Sequence, residues 1–295
     1  MPSSDPAGEG AVRRSLEALA IHPSKRLGQN FLVDPNVVAM IVGAIGDDAG
    51  SNVVEIGPGL GALTLPLAER ARRLVAVEID RRLAARLRDI LAPRAGSVEV
   101  VEADILDFDF GAAAAAQGER LVVVGAIPYS ITALILKKVV DARSAIRAAY
   151  LVTQREVADK IQASPSRDGT ALGIFVQAYA DVAILRRIPR GAFFPVPDVD
   201  SCLWKLTMRE TPRFMSSEES FFAVVRAIYG ARRKTLRNAL QRAFSPSDVD
   251  ALLGRAELDP KVRGETLGFP ALDRLASCAE SLSLRSIDGS LGERC

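Results

Sequence analysis

Val53 to Thr64 read VVEIGPGLGALT, and this stretch decides the fold. Its first residues are β-branched and apolar, as expected of a parallel strand that is buried on both faces. The strand pattern ends in a glycine-rich turn, GPGLG at residues 57–61, where missing side chains let the backbone turn sharply and approach a ligand. A helical stretch at residues 62–72 leads to a second strand pattern that ends at Glu78. The segment therefore predicts a βαβ unit.

Two acids that follow these strands indicate what the turn binds. Glu78 lies 21 positions after Gly57, the distance at which a βαβ unit places a carboxylate to accept both hydroxyls of a ribose. Asp104 follows a third strand pattern, where an acid can accept a hydrogen bond from an adenine amino group. A glycine turn alone is a weak signal, since many turns carry glycine for backbone reasons only. The turn, the helix and the spaced acids together predict a nucleoside-cofactor site.

The spacing of the glycines bears on which cofactor is bound. It is GxGxG rather than the GxGxxG of dinucleotide folds, and nothing beyond the helix dipole suggests a pyrophosphate site. The order of features resembles an S-adenosylmethionine-dependent methyltransferase. A dehydrogenase is the alternative at this point.

Composition excludes several classes of protein. The lone histidine, His22, lies in a polar stretch, and the three cysteines are far apart without metal spacing, so we expect no metal site and reduced thiols in a cytoplasmic protein. No apolar run approaches the ~20 residues that span a bilayer. The net charge of +2 is too small to prove a nucleic-acid partner.

The chain divides into three predicted regions. Residues 1–20 are expected to form a flexible N-terminal arm with, at most, a short helix. Residues 21–208 alternate strand and helix patterns, which predicts a doubly wound, Rossmann-like α/β domain. Residues 209–295 show only helical spacing, which predicts a small all-helical domain.

Five short motifs carry a family resemblance. They are LGQNFL at 27–32, IPY at 127–129, FFPVP at 193–197, VDS at 199–201 and RRKTLRN at 232–238. Their order closely resembles the KsgA/RsmA ribosomal RNA adenine N6-dimethyltransferases, which are class I S-adenosylmethionine-dependent enzymes. The resemblance covers roughly residues 20–280, and GQNFL together with RRKTLRN is much more specific than the glycine turn.

The resemblance implies a donor site and a base site. The target adenine, flipped from its RNA helix, is expected to stack against Tyr129 with Phe194 on its other side, in a catalytic segment that includes Ile127 and Pro128. Alternatively, the phenylalanines beside the prolines plug a loop onto the core. S-adenosylmethionine is expected to contact the following residues: Asn30, Leu32, Gly57, Gly59, Glu78, Ile79, Asp104, Ile105 and Ala126.

Ala126 departs from the family pattern, which has Asn before the Ile-Pro-Tyr or Leu-Pro-Tyr segment. The N6 lone pair of adenine is delocalised into the ring, so the amine is a poor nucleophile. An amide oxygen, together with the Ile127 carbonyl, would accept the N6 hydrogens and orient the lone pair toward the methyl group. The methyl side chain of alanine accepts nothing. Ala126 is therefore either an introduced substitution that disables catalysis, which the intact surroundings favour, or a natural variant that keeps only the binding surface. The resulting hypothesis is a chain that binds donor and RNA but methylates poorly.

Three basic runs together predict contacts with RNA phosphates. They comprise Lys25 and Arg26 beside the donor loop, then Arg186, Arg187 and Arg190 near Phe194, and finally Arg232, Arg233, Lys234 and Arg237, which we expect on one helix face of the second domain. Any single run is more simply a solvated surface. The expected partner is 16S rRNA within the immature small ribosomal subunit, bound by a monomer.

Three functions stay open on the sequence. The first is dimethylation of two adjacent adenines in a hairpin of the small-subunit rRNA. The second is a non-catalytic assembly factor, which needs no amide before Ile127. The third is a 23S rRNA adenine methyltransferase of the macrolide-resistance type, although the RRKTLRN segment and the C-terminal domain favour the small-subunit enzymes.

Overall fold

The computed structural model describes residues 8–24 and 28–282 of the chain, and these form two compact units. The first unit combines the residues up to Ala158 with Asp181–Met208. The second combines Asp159–Ala180 with the residues from Arg209 onward. Lys25 and Arg26, predicted to bind RNA, lie outside the described residues.

The first unit is built on a seven-stranded sheet with the order β4-β3-β2-β5-β6-β9-β7. The five strands from β4 to β6 run parallel, and β9 pairs antiparallel with β6. A separate two-stranded sheet pairs β1 with β8. The strands are β1 (Phe31–Leu32), β2 (Asn52–Ile56), β3 (Arg73–Glu78), β4 (Val98–Glu102), β5 (Leu121–Ala126), β6 (Ile146–Gln154), β7 (Ala180–Ile188), β8 (Phe193–Phe194) and β9 (Ser201–Met208).

The chain order reverses at β2, which pairs with β3 on one side and with β5 on the other. All five residues of β2 are buried, in keeping with a central parallel strand that is covered on both faces. In doubly wound sheets, ligands bind in the crevice beyond the carboxyl ends of the strands at such a reversal. The topology therefore places a ligand crevice directly after the glycine turn.

Twelve α-helices lie in the part of the chain that the structure describes. Several begin with a side-chain cap, such as Asp34, which accepts from the backbone N–H of Asn36 at 2.9 Å ahead of the second helix. None is long and apolar enough to cross a membrane, within the described residues. The helices are α1 (Glu9–Ala18), α2 (Pro35–Ile45), α3 (Thr64–Ala68), α4 (Arg81–Leu91), α5 (Phe110–Gln117), α6 (Thr132–Asp141), α7 (Arg155–Gln162), α8 (Ala171–Tyr179), α9 (Glu218–Tyr229), α10 (Leu236–Leu240), α11 (Pro246–Ala256) and α12 (Phe269–Ser281).

The expectation of a flexible arm at residues 1–20 is wrong for α1. This helix buries Val12 and Leu16, which are 1% and 3% exposed, in an apolar cluster with Leu60 and Leu83. Burying two such side chains stabilises the docked helix by roughly 1.5–3 kcal/mol each. The polar residues around them hid this anchoring stripe. Residues 1–7 of the predicted arm lie outside the described residues.

The second unit is helical, as expected, but it also takes in a segment that we assigned to the first domain. Residues 159–180 cluster with it because α8 presents aromatic side chains to α9 and the segment before it. The Phe175 ring lies 5.7 Å from that of Phe222, and the Tyr179 ring lies 5.8 Å from that of Phe214, centroid to centroid. Such ring pairs add to the apolar area that is buried.

Candidate active site

A cavity of about 230 Å³ opens beyond the carboxyl ends of the central parallel strands. Every residue that the sequence assigned to the methyl donor lines it. These are Asn30, Leu32, Gly57, Gly59, Glu78, Ile79, Asp104, Ile105 and Ala126. Residues from four strand ends and from the GQNFL segment therefore meet at one crevice, although they are spread over almost 100 positions of the chain.

The glycine turn leaves room for a ligand at its first residue. Gly57 has φ 63°, a left-handed conformation that side-chain-bearing residues rarely adopt, and a Cβ placed there would meet nothing within 4 Å. Its N–H donates to the Val77 carbonyl at 3.0 Å, which fixes the turn to β3. The open space at Gly57 fits a group that approaches the backbone closely.

Glu78 holds the turn in shape from the end of β3. Its Oε2 accepts from the N–H of Gly59 at 2.9 Å, and its Oε1 accepts from the N–H of Asp80 at 2.9 Å. The side chain is 4% exposed, and burial raises the pKa of its carboxyl despite these hydrogen bonds. Each carboxylate oxygen retains a second lone pair for a ribose hydroxyl.

Asp104 and Ile79 also line the cavity. The Oδ1 of Asp104 accepts from the N–H of Leu106 at 2.8 Å, which fixes the carboxyl at the end of β4. Ile79 is 50% exposed although it is large and apolar, and it lines the cavity. An apolar side chain that lines the cavity together with two acids suits an adenosine, whose adenine amino group and ribose hydroxyls need acceptors.

The GQNFL segment connects the donor cavity with the IPY segment. A Cβ at Gly28, which has φ 61°, would lie 2.9 Å from the Cβ of Pro128, so only glycine allows the two segments to approach this closely. Asn30 donates from Nδ2 to the Gly28 carbonyl at 3.2 Å. Directly after Asn30, strand β1 pairs Phe31 with Phe194 of β8. Both aromatic motifs are thereby tied to the donor side.

The segment from Ala126 to Tyr129 leaves the sheet at the mouth of the cavity. Ala126 ends β5 and lines the cavity, while Ile127 is 2% exposed and donates its N–H to the Val152 carbonyl at 2.9 Å. The hydroxyl of Tyr129 shares a hydrogen bond of 2.7 Å with Ser201, and burial raises the Tyr129 pKa. Ala126 thus lines the donor cavity with a side chain that can form no hydrogen bond.

Comparison with known proteins decides the family. The model of the family described as "Ribosomal RNA adenine dimethylase" matches residues 22–267. The chain belongs to this family. It is 39% identical over 281 residues to the "Ribosomal RNA small subunit methyltransferase A" of Anoxybacillus flavithermus, covering 92% of this chain and 94% of that protein. It is 43% identical over 270 residues to the protein of the same name from Moorella thermoacetica, covering 88% and 92%.

Solved structures agree with this assignment. The 23S rRNA methyltransferase ErmE is 29% identical with a TM-score of 0.66, covering 85% of this chain and 100% of ErmE. A dimethyladenosine transferase from Plasmodium falciparum is 22% identical with a TM-score of 0.75, covering 86% and 99%, which supports the fold. The class I methyltransferase fold with a C-terminal helical region is therefore confirmed. The chain is a ribosomal RNA adenine dimethyltransferase, and S-adenosylmethionine is its methyl donor.

Neither aromatic residue assigned to the target adenine lines the donor cavity of the dimethylase. Tyr129 adjoins it through Pro128 and Ser130, which do line it. Phe194 lies in β8, packed against the apolar cluster that holds α1. In the alternative interpretation, the two phenylalanines pack a loop onto the core. Phe193 fits it, since this residue is 3% exposed, whereas Phe194 is only partly buried.

Glu55 of the dimethylase was missed by the sequence reasoning. It is the fourth of the five residues of β2, lines the donor cavity and is 2% exposed, and its Oε2 has no hydrogen-bond partner among the residues that the structure describes. Burial and the nearby charge of Glu78 raise its pKa to about 8. The available signal was an acid inside a run of β-branched residues, where a buried carboxyl is costly unless it is protonated.

We expected the basic run of the second unit on one helix face, and this expectation is wrong for most of the run. Arg232, Arg233 and Lys234 occupy the turn between α9 and α10. Arg232 donates to the Arg167 carbonyl, and Arg237 on α10 pairs with Asp250 at 2.8 Å. Arg233 and Lys234 are exposed. The run therefore contains two cations with partners inside the unit, Arg232 and Arg237, and two exposed cations, Arg233 and Lys234.

Proposed function

We propose that this chain is the enzyme that dimethylates N6 of two adjacent adenines in a hairpin of 16S rRNA during assembly of the small ribosomal subunit. We expect it to act on the immature subunit as a monomer in the cytoplasm, with Ala126 making methyl transfer slow. The observation that carries this proposal is the single cavity lined by all nine predicted donor residues. The curated relatives at 39% and 43% identity bear the small-subunit name.

The residues of the site divide the work between them. When bound, S-adenosylmethionine supplies an electrophilic methyl group. We expect Glu78 to accept from its ribose and Asp104 from its adenine, and the open space at Gly57 supports a close approach to the turn. Tyr129 and Phe194 present aromatic faces, and stacking is worth ~1–3 kcal/mol per base. The Ile127 carbonyl is left to accept an N6 hydrogen without help from a side chain at position 126.

Dimethylation needs no histidine base. After methylation the adenine amine is cationic and loses its proton to water, so the site needs acceptors that orient the amine rather than a strong base. The described residues contain no group of three or more His, Cys, Asp or Glu side chains suited to a metal ion. What the site requires is geometric preorganisation, which is the contribution that Ala126 weakens.

A non-catalytic assembly factor is the second candidate, and one observation favours it. Ala126 lines the cavity, and its methyl side chain carries no hydrogen-bonding atom. Such a chain would retain the donor cavity and the exposed cations of the second unit while transferring methyl groups too slowly to matter.

The experiment incubates small and large subunits, both from cells lacking the modification, with labelled donor and the Ala126→Asn form. Dimethyladenosine confined to 16S rRNA supports the small-subunit assignment, and label in 23S rRNA supports an ErmE-like substrate instead. The unmodified chain serves as the comparison. Specific binding of both forms to the small subunit without label in either rRNA would leave the assembly-factor function.

A further inference from the structure

The N-terminal helix α1 packs against elements of both the donor site and the base site. Val12 and Leu16 of α1 share one apolar cluster with Leu60 of the glycine turn and Leu83 of α4, and Phe194 packs against the same cluster. The match to the dimethylase family begins only at residue 22. The family pattern therefore assigns no role to this helix, and its position next to both sites needs an explanation.

Arg13 of α1 covers one face of the Phe194 ring. Its guanidinium carbon lies 4.1 Å from the ring centroid. Glu9, one helical turn earlier, accepts from Nε of Arg13 at 2.9 Å and from Nη2 at 2.6 Å, which orients the guanidinium plane. A cation over an aromatic face is attracted by the negative face of the ring. Arg13 thus covers one face of Phe194 and restrains the ring.

A second arginine connects the same helix with the donor turn. Arg86 of α4 donates from Nη1 to the Leu60 carbonyl at 2.9 Å and from Nη2 to the Ser15 hydroxyl of α1 at 3.4 Å. Leu60 lines the donor cavity. One turn before Arg86 on α4, Arg82 donates to the carbonyl of Ala20, just beyond the end of α1, at 2.7 Å. A displacement of α1 would therefore disturb the hydrogen bond that Arg86 donates to the Leu60 carbonyl.

We propose that α1 is a positioning element of the active site, in which Arg13 orients Phe194 for the target adenine and Arg86 anchors the helix to the donor turn. The proposal rests on the proposed function, because Phe194 receives a base only if the chain modifies an adenine. Since one helix contacts both sides, it helps keep the base and the donor at a fixed separation, which is the condition for efficient transfer between bound reactants.

The test uses full-length chain in the active Ala126→Asn form. Arg13→Gln keeps a polar, hydrogen-bonding side chain and removes the cation over the ring. We expect KM for small-subunit RNA to rise about two- to five-fold, equivalent to ~0.5–1 kcal/mol, with an unchanged Kd for S-adenosylhomocysteine. Arg13→Lys keeps a cation and should recover part of the loss. Arg14→Gln removes the same charge from the neighbouring position of α1 and is the matched control.

Arg86→Gln tests the donor side of the same helix. We expect it to weaken S-adenosylhomocysteine binding, measured by calorimetry, because the Leu60 carbonyl and α1 lose their shared tether. Equal rises in KM for Arg13→Gln and Arg14→Gln would overturn the proposal, since net charge would then explain both. If the Ala126→Asn form labels no rRNA, the proposed function has failed. Independently of methyl transfer, an unchanged affinity of Arg86→Gln for S-adenosylhomocysteine would overturn the role of α1 at the donor site.

Discussion

Glu55 should make the stability of the first unit fall as pH rises, and Glu55→Gln should remove that dependence. The carboxyl is 2% exposed, and its pKa is raised to about 8 from an ordinary 4.5 by burial and by the charge of Glu78. A carboxyl whose pKa is raised in the folded state makes its full contribution to folding stability at pH values below its pKa in the unfolded state. Its contribution is lost as pH rises toward about 8, because unfolding then releases a proton.

The size of this effect follows from the two pKa values. While the folded carboxyl is protonated and the unfolded one is ionised, stability falls by ~1.4 kcal/mol per pH unit. Between about pH 6 and pH 8 the loss should reach about 2 kcal/mol, since the folded carboxyl begins to ionise near the upper end. Glutamine has a similar volume and does not titrate, so the variant should gain about 2 kcal/mol on the parent across this interval.

The fluorescence of Trp204 reports on the unfolding of the first unit alone. It is the single tryptophan of the chain, fully buried in β9, and its Nε1 donates to the Thr153 hydroxyl at 3.1 Å. Urea unfolding would be followed by its fluorescence at several pH values for the parent and Glu55→Gln. Glu99→Gln, which changes a half-exposed carboxyl of the same sheet, is the control. Parallel stability curves for the parent and Glu55→Gln would refute the protonated, buried carboxyl.

Three further changes separate the parts of the site. Glu78→Gln should weaken S-adenosylhomocysteine binding by ~1–3 kcal/mol in calorimetry, because an amide nitrogen cannot accept from the backbone N–H that one carboxylate oxygen now serves. Ser201→Ala should slow methyl transfer by raising its activation free energy by ~0.5–1.5 kcal/mol, because Tyr129 loses its 2.7 Å hydrogen bond. Donor affinity should not change. The joint change of Arg233 and Lys234 to Ala should flatten the log–log salt dependence of RNA binding by up to ~1.8.

Each of these has a matched comparison. Glu102→Gln changes a carboxyl at the end of the neighbouring β4 strand, and it should leave donor binding intact. Ser201→Ala should have no further effect in a Tyr129→Phe background, and additive effects would contradict a shared hydrogen bond. Arg237→Ala should change the salt dependence less than the joint substitution, since Asp250 already pairs with this cation. An unchanged slope in the joint variant would remove the turn from the RNA interface.

Sequence patterns were most informative where backbone geometry demands particular residues. The glycine turn and the acids at strand ends have few alternatives, because a close approach to a ligand and a spaced carboxylate are steric requirements. Their meeting at one cavity follows from parallel strands that end at the same edge of the sheet. The reversal at β2, by contrast, depends on strand order, which local patterns do not encode.

Packing between distant segments accounts for the features that sequence reasoning missed. α1 is mostly polar, and only Val12 and Leu16 reveal that it is anchored, once Leu60 and Leu83 are known to receive them. Glu55 looks like an interruption in an apolar strand until its burial and its position at the cavity are seen. The transfer of residues 159–180 to the second unit likewise depends on aromatic contacts that no local period predicts.

The most direct measurement of the central claim is the single-turnover rate of methyl transfer to small-subunit rRNA, with donor and RNA saturating, for the parent and for Ala126→Asn. One preorganised hydrogen bond to the reacting amine is worth ~3–4 kcal/mol, so we predict that Ala126→Asn is faster by roughly 10²–10³. Donor affinity should be similar in the two forms. Equal rates would contradict the claim that Ala126 is the missing element of an otherwise complete dimethyltransferase site.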